Sequence, residues 1–278
     1  MRNKWLLALD VDRTILTDDY RLLNEVRQAI QDARKLGVTV SLATARGPVA
    51  LEVILKDLGE VDYAICFGGA LVLKRAGSEW AAITDGASLG STIDPDAGRI
   101  LVELCRSYGV SVAGYGRDKV FVEEIDSRLQ NEIRHTGDRY EVRTLGDISE
   151  PLFKYLVISR TDEVGKLAEI SAQMSARLSC ATSHVNYLEV GPLGTSKGTG
   201  LALLARAIGI DQQHTVAIGD GENDLPMFLW AGISIAMGNA LEHVREAADW
   251  TTTTNAEAGV AAAINRLTEQ TWHAVASE

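Results

Sequence analysis

The apolar run Trp5-Leu6-Leu7-Ala8-Leu9 stops abruptly at Asp10. Its length and lack of alternation predict a short strand buried on both faces. From Leu23 to Leu36 the spacing changes: Val26, Ile30, Ala33 and Leu36 form a helical stripe, and Gly37 is placed to end it. A strand over Val38–Ala43, a helix over Pro48–Leu58 and a strand over Tyr63–Phe67 follow. Strands alternating with helices predict a parallel sheet covered by helices. The end of the chain repeats the pattern. A helix is predicted over Ser196–Ile208, with Ser196 as N-cap and Gly209 as stop. Then come a strand at Thr215–Ile218, a helix at Leu225–Trp230, a strand at Ile233–Ala236 and a helix at Ala256–Leu267.

The middle is patterned differently. Ser111–Ala113 and Val120–Val122 are close-set strands with Gly114, Gly116 and Asp118 between them, a hairpin signature. Helices near Asp94–Tyr108, Asp126–Thr136 and Asp162–Arg177 alternate with strands Tyr140–Leu145 and Phe153–Ser159. The expected organisation is therefore an α/β parallel-sheet core, residues 1–82 and 188–278, interrupted by an α+β insertion over 83–187. One continuous domain of 278 residues would lie near the upper limit for a single core.

Composition narrows the function. At 46% hydrophobic and 23% charged the chain is of ordinary globular type. A net charge of -11 speaks against nucleic acid as a partner, because binding a phosphate backbone needs clustered positive charge. An anionic substrate must be held by local cations or a metal. Cys66, Cys105 and Cys180 have neither disulfide nor zinc spacing, and read as thiols in a reducing compartment. Met1-Arg2-Asn3-Lys4 has the charge of a signal peptide start, but Asp10 interrupts the apolar stretch too early and no cleavage site follows. No segment is long enough to span a bilayer. A cytoplasmic protein is expected.

Four stretches carry candidate chemistry. Asp10 and Asp12 stand at i and i+2 after the first strand and would project from one side of an extended chain. Gly219-Asp220-Gly221-Glu222-Asn223-Asp224 follows the strand Thr215–Ile218 directly. Ligand sites of parallel α/β sheets lie at the carboxyl ends of strands. Asp10, Asp12, Asp220 and Asp224 can therefore converge, and a divalent cation is the simplest compensation for their charge. The plainer alternative for the second stretch is a helix cap. Lys197 lies at a helix start, where the dipole disfavours a cation, so it needs an anion nearby or is simply solvated. A phosphate-loop reading of Gly194-Thr195-Ser196-Lys197-Gly198 fails on spacing. In Ala43-Thr44-Ala45-Arg46-Gly47, Thr44 is either a phosphate-binding hydroxyl with Arg46 adding charge, or an ordinary N-cap.

Together these stretches resemble the haloacid dehalogenase-like phosphatases, in the Cof-type branch, across nearly the whole chain. Asp10-x-Asp12-x-Thr14 is similar to the first motif, Thr44 to the second, Lys197 to the third, and Gly219-Asp220-x-x-Asn223-Asp224 to the fourth. Ala236–Ala240 and Thr254–Val260 are similar to further signatures. The resemblance implies a Rossmann-like core with an inserted cap and a phosphatase dependent on Mg2+. It implies Asp10 as nucleophile, Asp12 as acid and then base, and Lys197 as charge neutraliser. Thr44, Arg46 and Asn223 would bind the phosphoryl group. Asp10, Asp12 (through its main-chain carbonyl) and Asp220 would bind the metal, with Asp224 supporting the metal site or Lys197.

Three departures stand out: Arg13 and Ala45 where the branch has glycine, and Gly68 where it commonly has asparagine. At Arg13 a guanidinium contact to an anionic substrate group is one expectation, and a solvent-directed side chain the other. The expected substrate is a small phosphorylated metabolite such as a sugar phosphate, hydrolysed by a monomer or homodimer. The rival readings are a phosphomutase and a regulator that binds a phosphometabolite without turnover.

Overall fold

Leu6–Leu9 forms β1, with all four side chains out of contact with water. A strand covered on both faces reads as an unbroken apolar run, which is why it was legible. The structure, a computed structural model, describes residues 4–83 and 91–272. The basic N-terminal stretch 1–3 and the segment 84–90, where the insertion was expected to begin, lie outside the described residues.

After β1 come α1 (Asn24–Lys35), β2 (Thr39–Ala43), α2 (Pro48–Leu58), β3 (Tyr63–Cys66), β4 (Leu71–Ala76) and β5 (Glu79–Ala82). The middle carries α3 (Pro95–Tyr108), β6 (Ser111–Tyr115), β7 (Val120–Val122), α4 (Ser127–Thr136), β8 (Tyr140–Val142), β9 (Lys154–Ile158), α5 (Gly165–Met174), β10 (Leu178–His184) and β11 (Tyr187–Pro192). The chain closes with α6 (Lys197–Ile208), β12 (Thr215–Gly219), α7 (Leu225–Trp230), β13 (Ile233–Ala236), α8 (Glu242–Glu246), β14 (Trp250–Thr251) and α9 (Gly259–Leu267).

The first sheet has the order β14-β13-β12-β1-β2-β3-β4-β5. From β14 to β3 all neighbours are parallel, while β4 and β5 extend the sheet as an antiparallel hairpin. The second sheet, β10-β11-β9-β6-β7-β8, comes from the inserted part. The fold is thus the expected α/β parallel sheet with an inserted α+β cap. The second sheet keeps β11, which ends at Pro192, beyond residue 187. The β4–β5 and β10–β11 hairpins were not expected; their polar, half-exposed positions blur the two-residue alternation. α9 begins at Gly259 and not at Ala256, because Ala258 takes the left-handed conformation, φ 55°.

Between β1 and β12 the chain order reverses, which is where open α/β sheets form ligand crevices. Asp10 donates its amide to the Ile218 carbonyl at 2.9 Å, so the ends of β1 and β12 are level. α6 and α7 then pack closely at Gly198, where a Cβ would overlap the Pro226 carbonyl.

Cap and core share apolar cover. Phe67, 3% exposed, stacks on Phe153 of the cap with centroids 5.5 Å apart and meets Tyr115 edge-on at 6.4 Å. A Cβ on Gly47 would stand 2.6 Å from the Phe67 ring, so a larger residue there would have to displace the stacked ring. Next to this contact lies a charged patch. Lys154 Nζ is 2.9 Å from Glu189 Oε2, and half-buried Glu132 faces the same space. Burial holds the Glu132 carboxyl above its usual range; Glu189 and Asp12 add to this, and Lys154 and Arg46 oppose it. No helix among the described residues is long and apolar enough to cross a membrane.

Two outcomes follow from this packing. Gly198→Ala should cost about 1–3 kcal/mol through overpacking of α6 on α7, read as a lower urea midpoint. For Glu132 the raised folded-state value fixes the sign of the pH dependence. Its stabilising contribution is complete below the ordinary carboxylate value and is lost as pH rises through the folded value. Glu132→Gln should therefore melt above the parent protein at pH 7–8, with the difference closing toward pH 4 in thermal melts.

Candidate active site

Three segments from distant parts of the chain meet at the carboxyl ends of β1 and β12. Asp10 follows β1, Asp220 and Asp224 follow β12, and Lys197 opens α6. The Lys197 ammonium, 1% exposed, donates to Asp10 Oδ1 at 2.5 Å and to Asp224 Oδ1 at 2.6 Å. The conflict between a cation and a helix start is thereby resolved: two carboxylates surround it. Ser196 caps the same helix, accepting from the Thr199 amide at 3.1 Å, so the turn that places Lys197 is fixed locally.

Asp10, Asp220 and Asp224 each offer an oxygen within 4.8 Å of the others. Two further groups hold the cluster. The Thr14 hydroxyl lies 3.0 Å from Asp220 Oδ1 and 3.3 Å from Asp10 Oδ2, and Asn239 Nδ2 donates to Asp220 Oδ2 at 3.4 Å. Asp224 is 0% exposed and its second oxygen accepts the amides of Asp220 and Gly221, both at 2.9 Å. Both Asp224 oxygens are therefore engaged, which fits a role in holding Lys197 and the loop. Gly219 leaves the room that this carboxylate fills.

Burial, then the neighbouring Asp224, pushes the Asp10 carboxyl well above its usual range, with Lys197 acting against them. The same two causes push Asp220 up to about 6. Burial pulls the Lys197 ammonium down, but Asp10 and Asp224 outweigh it and leave it above the ordinary lysine value. Three buried carboxylates against one ammonium leave negative charge to compensate. Hard oxygen donors with excess negative charge suit a hard divalent cation.

The Asp12 carboxylate does not join this cluster, contrary to the expected convergence of all four acids. It is held by Arg46, which donates Nε to Oδ2 at 2.9 Å and Nη2 to Oδ1 at 2.6 Å. Arg46, 8% exposed, is thus committed to Asp12 in this structure and not to an open anion site. Thr44 is 1% exposed, and its hydroxyl accepts the Arg46 amide at 3.0 Å. Asn223 lines a cavity of about 570 Å³ together with Lys197, Ala45, Gly68, Lys154 and Glu189.

Arg13 is not among the residues lining that cavity. Its Nε lies 3.2 Å from Asp18 Oδ1 and its Nη1 3.7 Å from Asp220 Oδ2. Its φ of 59° is left-handed, which explains why glycine suits this position. Gly68 likewise has φ 63°, a conformation that both glycine and asparagine reach readily. Thr14, Asn239 and Lys154 were given no role from the sequence. Lys154 had a signal: a lone charge at the head of an otherwise apolar strand.

A profile of the haloacid dehalogenase-like hydrolases matches residues 7–264. YxeH of Bacillus subtilis is 29% identical over 270 residues, 94% of this chain and 97% of that protein. The 5-amino-6-(5-phospho-D-ribitylamino)uracil phosphatase YwtE of the same organism is 26% identical over 287 residues, 94% of this chain and 97% of its own. The crystal structure of a haloacid dehalogenase-like hydrolase from Bacteroides thetaiotaomicron superposes with a TM-score of 0.82 at 26% identity, covering 95% of this chain and 100% of that one. With that match across both halves of the first sheet and the insertion between them, the chain belongs to the haloacid dehalogenase-like hydrolases, among the phosphatases of that family.

Proposed function

We propose that this phosphatase hydrolyses a small phosphorylated metabolite of the sugar-phosphate class through an aspartyl-phosphate on Asp10, with Mg2+ as its cation. The observation that carries the reading is the buried Lys197 ammonium between Asp10 and Asp224, with Asp220 beside them; Lys197 and Asn223 also line the 570 Å³ cavity. A cavity of that volume suits a small-molecule ligand. The compound in the name of YwtE carries its phosphate on a ribityl chain attached to an aminouracil, a small phosphorylated metabolite.

Lys197 opposes the protonation that burial favours at Asp10 and aims its carboxylate, and Asp224 keeps Lys197 in place. An oxygen of Asp10 attacks phosphorus while the bond to the leaving oxygen breaks, and Asp12 donates a proton to that oxygen. Water then attacks the aspartyl-phosphate and gives its proton to Asp12. Phosphate departs and the Asp10 carboxylate is restored. Thr44 and Asn223 hold the phosphoryl oxygens, and Arg46 orients Asp12. Oxygens of Asp10 and Asp220, with the Asp12 carbonyl, would hold the magnesium, whose charge lets two anions approach.

Purified protein should release phosphate from a small aryl phosphate with magnesium present and stop when the metal is chelated. Undiminished turnover after thorough chelation would remove the metal from the scheme. Asp10→Asn should abolish hydroxylamine-sensitive covalent phosphorylation. Asp12→Asn should retain the nucleophile but slow turnover roughly 10²–10⁴-fold, the usual worth of a positioned acid–base group. A labelled phosphoryl group still bound covalently to Asp10→Asn would reassign the nucleophile.

A further inference from the structure

The loop Thr44–Arg46 presents three carbonyls, and the core satisfies only two of them. The Gly68 amide donates to Thr44 O at 2.9 Å and the Phe67 amide to Arg46 O at 3.0 Å. The third, Ala45 O, accepts from Lys154 Nζ at 2.9 Å, and Lys154 belongs to the cap. This lysine heads β9, in the middle of the second sheet, and is 5% exposed. Its ammonium stands 4.2 Å from the centroid of the Tyr115 ring and 2.9 Å from Glu189 Oε2. Ring and carboxylate, both from the cap, fix where the ammonium can go before it meets the core. A charge buried this far and aimed at one carbonyl of another layer is costly to place without a purpose.

The residue next to Ala45 is Arg46, whose guanidinium grips Asp12 through two hydrogen bonds. A two-point grip transmits any tilt of the loop to the carboxylate. We propose that Lys154 is a positioning residue. Seated on the core, it fixes the Thr44–Arg46 loop and, through Arg46, the Asp12 carboxylate. Cap closure and the alignment of Asp12 are then a single event. A cap lifted from the core leaves Ala45 O without its cap donor and frees the loop. Hydrolysis of the phosphoenzyme is held back until the cap is seated again. The inference rests on the reading of Asp12 as the acid–base group.

Lys154→Met removes the donor, and Lys154→Met/Glu189→Gln removes it without leaving an unpaired buried carboxylate. Both are compared with Lys154→Arg, which keeps a donor in reach of Ala45 O. The readouts are kcat and KM for a small aryl phosphate and hydrogen exchange of the Arg46 amide, which is bonded to the Thr44 hydroxyl in the parent protein. The expected result is a roughly ten- to hundredfold loss of kcat, the scale of a misplaced catalytic group. KM should stay within about twofold, the Arg46 amide should exchange faster, and Lys154→Arg should recover most of the rate. Unchanged kcat and exchange in the folded double variant would overturn the proposal. A raised KM with kcat and exchange intact would also overturn it, and would make Lys154 a leaving-group contact. Full turnover by Asp12→Asn would instead strike the acid–base reading itself, whatever Lys154 does.

Discussion

An ammonium withdrawn from water between two carboxylates is the constraint on which this site is built. Moving one ion into a protein interior costs several kcal/mol even after relaxation, and removing a partner from a buried pair typically costs about 3–5 kcal/mol. Lys197 is therefore tolerable only if Asp10 and Asp224 arrive at the same point. That demand fixes much else. β1 and β12 must lie side by side with their ends level. α6 must start at Lys197 and not a turn later, which the Ser196–Thr199 capping box secures. The loop after β12 must turn tightly enough for Asp224 to reach back over Gly219. Asp220 then falls beside the pair without a cation of comparable burial, because Arg13 reaches it from solvent at 3.7 Å.

The second constraint joins the layers. The apolar cluster under the first sheet continues through Phe67 into Tyr115 and Phe153 of the cap. Charged groups lie along its edge in alternating sign: Asp12, Arg46, Glu132, Lys154 and Glu189. The loop bearing Thr44 and Arg46 is thus shaped from both sides. Ala45 in place of glycine is compatible with this, since the group used there is its carbonyl.

How far the sequence disclosed this depends on burial. β1 and β12 sit inside the sheet with every side chain covered, and their apolar runs could be read directly. β10 runs from buried Leu178 to exposed His184 and pairs along one edge of the cap, so its pattern dissolves into serines and threonines. The acids after β1 and β12 are weak signals singly, and became legible because Thr44, Lys197 and Gly219–Asp224 accompany Asp10 and Asp12 in a matching order and spacing. The partner of Asp12 was not, since Arg46 lies 34 residues away and only the ladder between β1 and β2 brings them together. Arg13 was visible as an oddity. Its pairing with Asp18 and Asp220, and its left-handed backbone, depend on a tight turn whose geometry no local residue pattern specifies.

The stacked faces of Phe67 and Phe153 bear on temperature. Lifting the cap would wet both rings, and wetting apolar surface has little enthalpy near room temperature but raises the heat capacity. The share of the cap's hold that these rings supply is thus mainly the entropy of the water they release. Cooling weakens that hold while leaving the Lys154–Ala45 hydrogen bond largely intact.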